Sequence, residues 1–276
     1  MRIFTALLLF SISICQAQQV SLKRDSVSST KEYVSLYVKN NMLSSIFFKV
    51  IPKDSIPKTI VFSENTVIKP SERVNNFIKI PRNILKTDTS KINIYDYFSF
   101  KFGYGDPSTV KHNDSYRYLL PYKKRRKLIQ GNFGSFSHDH IASNHAFDFG
   151  TKIGDTIYAA REGKVVMIKE NSKKYGRTRK FINDGNYVII QHNDGTTASY
   201  FHLNFNGALV EKGAIVKRGQ AIGISGMTGF TTIPHLHFVV HKATVENGNI
   251  SVPIEFEGYV GKKFKKGKRY ARKTKK

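Results

Sequence analysis

The residues with the most chemistry to offer lie in two short stretches, His145-Ala-Phe-Asp148-Phe-Gly and Pro234-His-Leu-His-Phe238. In the second, a strand period of two sends Leu236, Phe238 and Val240 to the core and leaves His235 and His237 side by side on the opposite face. Two imidazoles on one strand face suit a zinc site, in which one ligates and its neighbour polarises a water or substrate. An isolated His-x-His equally describes two half-exposed strand histidines, so the pattern needs further ligands.

The same parity applied to the first stretch puts Asp148 on a face with Asn144 and, if the strand extends upstream, with His140 and His138. His145 then points the other way, with Phe147 and Phe149. A third ligand is expected from His138, His140 or Asn144. His202, at a strand end after Tyr200 and Phe201, gains interest from its company, since eight of the nine histidines lie between 138 and 241. His192 reads as structural. Gly223, Gly226 and Gly229 read as turns, because no Gly-Lys-Ser/Thr follows them.

The elements that must position these residues read as strands throughout. Residues 1–17 carry Arg2, an uncharged run and Cys15-Gln-Ala17, the pattern of a signal peptide cleaved after Ala17; Ile14 before Cys15 argues against a lipoprotein signal. Cleavage there would remove the only cysteine, excluding disulfides and thiol catalysis and leaving histidine and carboxylate as metal ligands. From 18 to 120, β-branched and aromatic runs such as 32–38, 44–51 and 95–105, with Pro52, Pro57, Pro70 and Pro81 between runs, predict an all-β domain of immunoglobulin-like sandwich type. A basic linker is expected at 121–130. Residues 131–258 read as an antiparallel β domain with a narrow groove, with strands at 163–169, 186–192 and 196–203 and a hairpin at Asn193-Asp194-Gly195. Ten of the residues 262–276 are Lys or Arg, which predicts a basic disordered tail over 259–276. The formal charge of +25 points to polyanions, and after export these would be anionic envelope polymers or lipid head groups rather than nucleic acid. No transmembrane helix is expected, since no segment after residue 17 approaches the roughly 20 apolar residues one needs.

Taken together, "HAFDFGTKIGDTIYAAREGKVV" and "YFHLNFNGALVEKGAIVKRGQAIGISGMTGFTTIPHLHFVV" resemble the lysostaphin/LytM-type zinc metallopeptidases that cut peptide bonds in bacterial peptidoglycan. The resemblance covers roughly residues 130–255 and implies an all-β, duplicated-hybrid-motif-like fold with a groove across an antiparallel sheet. It also implies Zn2+ as cofactor and stem or cross-bridge peptides as substrates. Asp148 and His237 match the family's aspartate and second His-x-His ligands. His202 and His235 match its two non-ligand histidines, which act on water and oxyanion. The family pattern His-x-x-x-Asp has Asn144 at its first position in this chain. "GSFSHDH" upstream offers His138 as substitute ligand, with His140 second. The expected function is an exported zinc metalloendopeptidase of the periplasm or exterior. The alternatives are an inactive, peptidase-like module that binds peptidoglycan or regulates another hydrolase, and a polyanion-binding envelope protein working through its tail.

Overall fold

The computed structural model describes residues 20–54, 56–85 and 93–273. The expected signal at 1–17, with Cys15, lies outside the described residues. Among the described residues nearly all regular structure is β, the helical pieces being short 3-10 turns, and no helix is long and apolar enough to cross a membrane.

The N-terminal strands are β1 (Val20–Asp25), β2 (Tyr33–Asn40), β3 (Ile46–Pro52), β4 (Val61–Phe62), β5 (Asn65–Ile68), β6 (Arg73–Pro81) and β7 (Phe98–Tyr104). They form a four-stranded sheet in the order β1-β2-β6-β4 and a three-stranded sheet in the order β5-β3-β7. Pro52 and Pro81 end β3 and β6, where a missing N–H costs the ladder least. Val34, Leu36 and Ile78 from one sheet share a buried cluster with Phe48, Val50 and Phe102 from the other.

The remaining strands are β8 (Arg117–Tyr118), β9 (Arg126–Gln130), β10 (Phe147–Gly150), β11 (Thr156–Tyr158), β12 (Gly163–Lys169), β13 (Tyr175–Gly176), β14 (Asn186–Gln191) and β15 (Thr197–Ala208). They continue with β16 (Ile215–Val216), β17 (Ala221–Ser225), β18 (Gly229–Phe230), β19 (His235–Thr244), β20 (Gly248–Ser251), β21 (Glu255–Phe256) and β22 (Arg269–Tyr270). The main sheet runs β16-β12-β14-β15-β19-β10-β9-β22, with β20 added to β19, β17 added to β15 and β11 paired with β17. The hairpin between β14 and β15 closes through Gly195, whose φ of 82° is a left-handed value that glycine adopts without strain.

Strand alternation gives this sheet two different faces. Phe147, Phe149, Tyr200, Leu236, Phe238 and Val240 fill one buried cluster. On the opposite face, register lines up Asp148, His237, Phe201 and Tyr187 in one row across β10, β19, β15 and β14. Tyr187, Ile189 and Val166 belong to the same cluster as the N-terminal strands, and Phe201 packs against it. The N-terminal part therefore rests on the sheet face that also carries Asp148 and His237.

Two expectations differ from the structure. The basic stretch 121–130 is not a free linker, because Arg126–Gln130 is strand β9, Tyr122 and Leu128 are buried, and Arg126 forms an ion pair with Asp155. The tail expected to be disordered is packed through residue 273: Arg269 and Tyr270 pair with Lys127 and Arg126, and Phe264 stacks on Tyr270 at 4.1 Å. Tyr259, Phe264 and Tyr270, set among the lysines, pack against the main core. Half-burying each aromatic ring stabilises by roughly 1 kcal/mol or more, and Arg272 Nε–H adds a bond to Leu120 O at 2.8 Å. Charge density alone hid these anchors.

Candidate metal centre

Asp148 is the middle of β10, hydrogen-bonded on one side to β19 and on the other to β9. Its neighbours Phe147 and Phe149 lock into the core, which aims the carboxylate at the opposite face, where it is 5% exposed. Directly across the ladder stands His237, whose Nδ1 lies 2.8 Å from Asp148 Oδ1. His235, one pleat along, brings Nε2 to 3.7 Å from the same oxygen.

His138 completes the group from a loop. The extended strand that parity required upstream of Asp148 is absent: residues 131–146 are turns, and β10 begins only at Phe147. His138 is fully buried, its backbone N–H donates to Gly134 O at 2.9 Å, and its Nδ1–H donates to Gly131 O at 2.8 Å. That bond fixes the tautomer and leaves Nε2 as a lone-pair donor, 3.2 Å from Asp148 Oδ1 and 3.3 Å from His237 Nδ1. His140 is exposed, with Nδ1 accepting from Ala142 N–H. Asn144 serves the loop backbone, its carbonyl accepting Phe133 N–H at 2.7 Å. His145 lies edge-on to Phe133 at 5.0 Å and donates its N–H to Ser251 Oγ.

The donor set fits a tetrahedrally bound divalent metal. His138, Asp148 and His237 each offer one ligand atom, and those atoms are 2.8, 3.2 and 3.3 Å apart. Ligand distances of about 2.0–2.1 Å in a tetrahedron separate ligand atoms by about 3.3 Å. An anionic oxygen and an imidazole lone pair that close repel unless a cation sits between them. The same attraction appears in the acidities. Burial alone would raise Asp148, but the charge of His235 and hydrogen bonds from His138 and His237 hold its carboxyl well below the usual range. Burial opposes the protonated form of His138, yet Asp148 lifts it above the ordinary imidazole value. Burial pushes His237 down, against the pull of Asp148.

The second oxygen of Asp148 is held by a residue the motifs did not reveal. Gln130 Nε2 donates to Asp148 Oδ2 at 3.3 Å and to Ser137 Oγ at 2.8 Å, while its Oε1 accepts Phe136 N–H. Gln130 thus ties the carboxylate to the loop that carries His138. Its signal in the sequence is faint, a polar residue closing a basic strand. Gly134 is required beside it, since a Cβ there would fall 2.2 Å from Gln130 Cγ.

His202 and His235 flank the group with rings 4.5 Å apart. His202 arrives there by breaking strand alternation. Its φ is 65°, after which Leu203 rather than residue 202 enters the core, and both Phe201 and His202 reach the site side. His202 Nδ1–H donates to Thr228 O at 2.7 Å, and His235 Nδ1–H to Ile233 O at 2.8 Å with Thr231 Oγ1 3.1 Å away. Both therefore present Nε2 lone pairs. Burial, with His235 and His237 nearby, pushes His202 down to about 3. His192 is elsewhere, donating Nδ1–H to Glu162 O at 2.7 Å.

Residues 142–250 match Peptidase family M23. His138 lies just before that match. Over 116 residues the chain is 40% identical to the peptidoglycan DD-endopeptidase ShyB of Vibrio cholerae, covering 41% of this chain and 24% of that protein. The glycyl-glycine endopeptidase ALE-1 of Staphylococcus capitis is 33% identical over 150 residues, 53% of this chain and 37% of its own. Among solved structures, the catalytic domain of lysostaphin from Staphylococcus simulans aligns with 29% identity over 44% of this chain and 82% of its own, with a TM-score of 0.32. The chain spans 20–24% of the length of the curated V. cholerae relatives it matches. Asp148, His202, His235 and His237 all lie within the stretch 142–250 that matches Peptidase family M23.

Proposed function

We propose that the protein is an exported zinc metalloendopeptidase that hydrolyses peptide bonds in peptidoglycan stem or cross-bridge peptides. The observation that carries this reading is the triangle of His138 Nε2, Asp148 Oδ1 and His237 Nδ1, three ligand atoms of zinc-binding type at near-tetrahedral separations. The names of the relatives, endopeptidases of peptidoglycan and of glycyl-glycine bonds, support the substrate class.

Zinc, when bound, supplies a Lewis acid that polarises the scissile carbonyl and brings the pKa of water to roughly 7. His138, Asp148 and His237 would hold it, and Gln130 fixes the carboxylate by engaging Oδ2 and leaving Oδ1 beside His138 and His237. His202, its Nδ1–H held by Thr228 O, turns Nε2 into the site, where it would accept a hydrogen bond from the attacking water. His235, its Nδ1–H engaged by Ile233 O, aims Nε2 into the site, where, once it carries a proton, it would donate a hydrogen bond to the substrate oxygen on which charge develops. The two N-terminal sheets support reading residues 20–104 as an immunoglobulin-like sandwich, a packing or adaptor module that braces one end of the sheet face. The complete ligand triangle favours an active peptidase over a binding module with a lost ligand.

The test is metal analysis of the purified chain beside His138→Ala, together with product analysis on soluble peptidoglycan fragments. One equivalent of zinc, lost in the variant along with peptide cleavage, is expected. A wild-type chain that takes up no zinc when supplied with it would overturn the reading.

A further inference from the structure

The loop that carries His138 has a second face. Between it and the C-terminal segment lies a cleft of about 680 Å³, large enough for a sugar or short peptide. One wall is Gln130 and residues 131–136, and the other is formed by residues 254–266.

Its chemistry is one-sided. Lys262, Lys263 and Lys266 line it and are exposed, and among the described residues none of the three makes an ion pair. The single acid in the lining, Glu255, is already engaged: Arg117 pairs with Oε2 at 3.0 Å and Gly261 N–H donates to Oε1 at 2.6 Å. Low-dielectric aromatic walls beside uncompensated cations strengthen the attraction for an anion.

The aromatic part is held at a cost. Phe133 is 66% exposed and has φ of 56°, a left-handed value that is an outlier for a bulky side chain. Phe136 is 57% exposed and stacks on Phe230 at 5.5 Å. A strained, exposed phenylalanine gives the fold little, and strain of this kind collects at ligand-binding sites. Its face suits the apolar side of a sugar ring or peptide.

The cleft is also connected to the metal centre. Gln130 belongs to both, and Phe230 stands in the segment 228–233 whose carbonyls hold His202 and His235. We infer that this cleft is a subsite for the acidic flank of a muropeptide, with a free carboxylate against Lys262, Lys263 and Lys266 and a sugar or peptide face against Phe133. This rests on the peptidoglycan reading above for the identity of the ligand.

The experiment is a calorimetric or NMR titration of the full chain with N-acetylmuramyl-L-alanyl-D-glutamate. Alongside it run a chitin trisaccharide, which lacks the carboxylates, and the dipeptide L-alanyl-D-glutamate, which lacks the sugar. Saturable binding of the muramyl peptide, weakening with salt, is expected. The combined Lys262→Glu, Lys263→Glu and Lys266→Glu variant should lose affinity about tenfold or more, since exposed ion pairs contribute up to a few-fold each and reversal adds repulsion. Phe133→Gly should also bind more weakly while melting no lower than wild type, because glycine adopts its φ freely. Zinc content and melting temperature of the lysine variant should match wild type. No binding by wild type, or equal binding by the charge-reversed variant, would overturn the subsite. The titration needs no cleavage, so a chain that binds the fragment but cuts nothing keeps the subsite and loses the peptidase reading. A chain that cuts peptides but ignores the fragment does the reverse.

Discussion

Asp148 and His237 stand on neighbouring central strands, each fixed by ladder hydrogen bonds on both sides and by phenylalanines that fill the core beneath. His138, which meets them at 3.2 and 3.3 Å, hangs from residues 131–146, a run of turns tied down by a handful of individual bonds. One half of the site is made by the sheet and survives as long as the sheet does. The other half is delivered by a segment that can open locally at lower cost. The metal affinity of the whole is then set by how well the loop is docked, and the two halves should fail differently.

The largest effect is expected at the strand half. Asp148→Asn removes the only anion among the buried imidazoles, so metal should be lost and peptide cleavage should fall by about a thousandfold or more, the worth of several kcal/mol of Lewis-acid stabilisation. His138→Ala should abolish metal uptake as well, but lower the metal-free melting temperature less than Asp148→Asn, because its loop contributes little to the sheet. His140→Ala and His145→Ala should leave zinc content unchanged. Loss of zinc in His140→Ala would mean that the exposed ring reaches the site after all.

The sheet carries a weakness of its own in acid. His192 is buried at the end of β14, and burial holds its imidazole down to about 4, whereas the unfolded chain titrates at the ordinary 6.5. Between those values the unfolded state binds a proton that the folded state does not, so stability falls as pH drops from about 6.5 to 4. The loss from this one group is at most roughly 3 kcal/mol. Urea melts of His192→Phe at pH 7 and pH 4 should show a smaller drop between the two pH values than wild type, at the cost of about 1 kcal/mol at pH 7 for the lost bond to Glu162 O. An unchanged drop would place the acid sensitivity elsewhere.

These contrasts also explain what could be read from the sequence. Period two put His235 and His237 on the non-core face of one strand and Asp148 on the non-core face of another, because a strand's side-chain direction is set by local geometry alone, and register then joined the two faces. His138 was reachable by residue type and neighbourhood, yet the parity used to reach it was wrong, since a turn run intervenes and a turn has no period. His202 sits where parity fails, its positive φ turning the chain so that Leu203 takes the core position. Gln130 and the carbonyl of Thr228 are long-range partners, joined to the site only by sheet register and loop closure. In the tail, the lysines suggested a solvated chain, while Phe264 and Tyr270 among them supplied the packing.

Gln130 bridges the two halves, so its truncation should fall between them in effect. Gln130→Ala keeps all three ligands but frees Asp148 Oδ2 and the Ser137 hydroxyl. Metal affinity should weaken about 10–100-fold, as for other residues that orient a ligating side chain. Competition with a chromophoric chelator would measure it. An affinity within twofold of wild type would mean that the ladder alone orients the carboxylate.

The smallest effect should come from the loop's anchor on β20, and it discriminates most sharply between the halves. Ser251 Oγ–H donates to Ile141 O at 2.8 Å and accepts His145 N–H at 3.1 Å, while His241 Nε2–H on the adjoining strand holds Ala142 O at 2.9 Å. Ser251→Ala removes two bonds worth about 1 kcal/mol each at most and leaves His241 in place. If docking of 138–145 is in equilibrium with an opened loop, that loss should raise the metal dissociation constant several-fold and speed amide exchange at residues 138–145. Exchange in β10 and β19 should not change, because nothing in their ladders has been touched. Uniformly faster exchange across loop and strands would show that the loop and sheet open together, and the site would then be one cooperative unit rather than two.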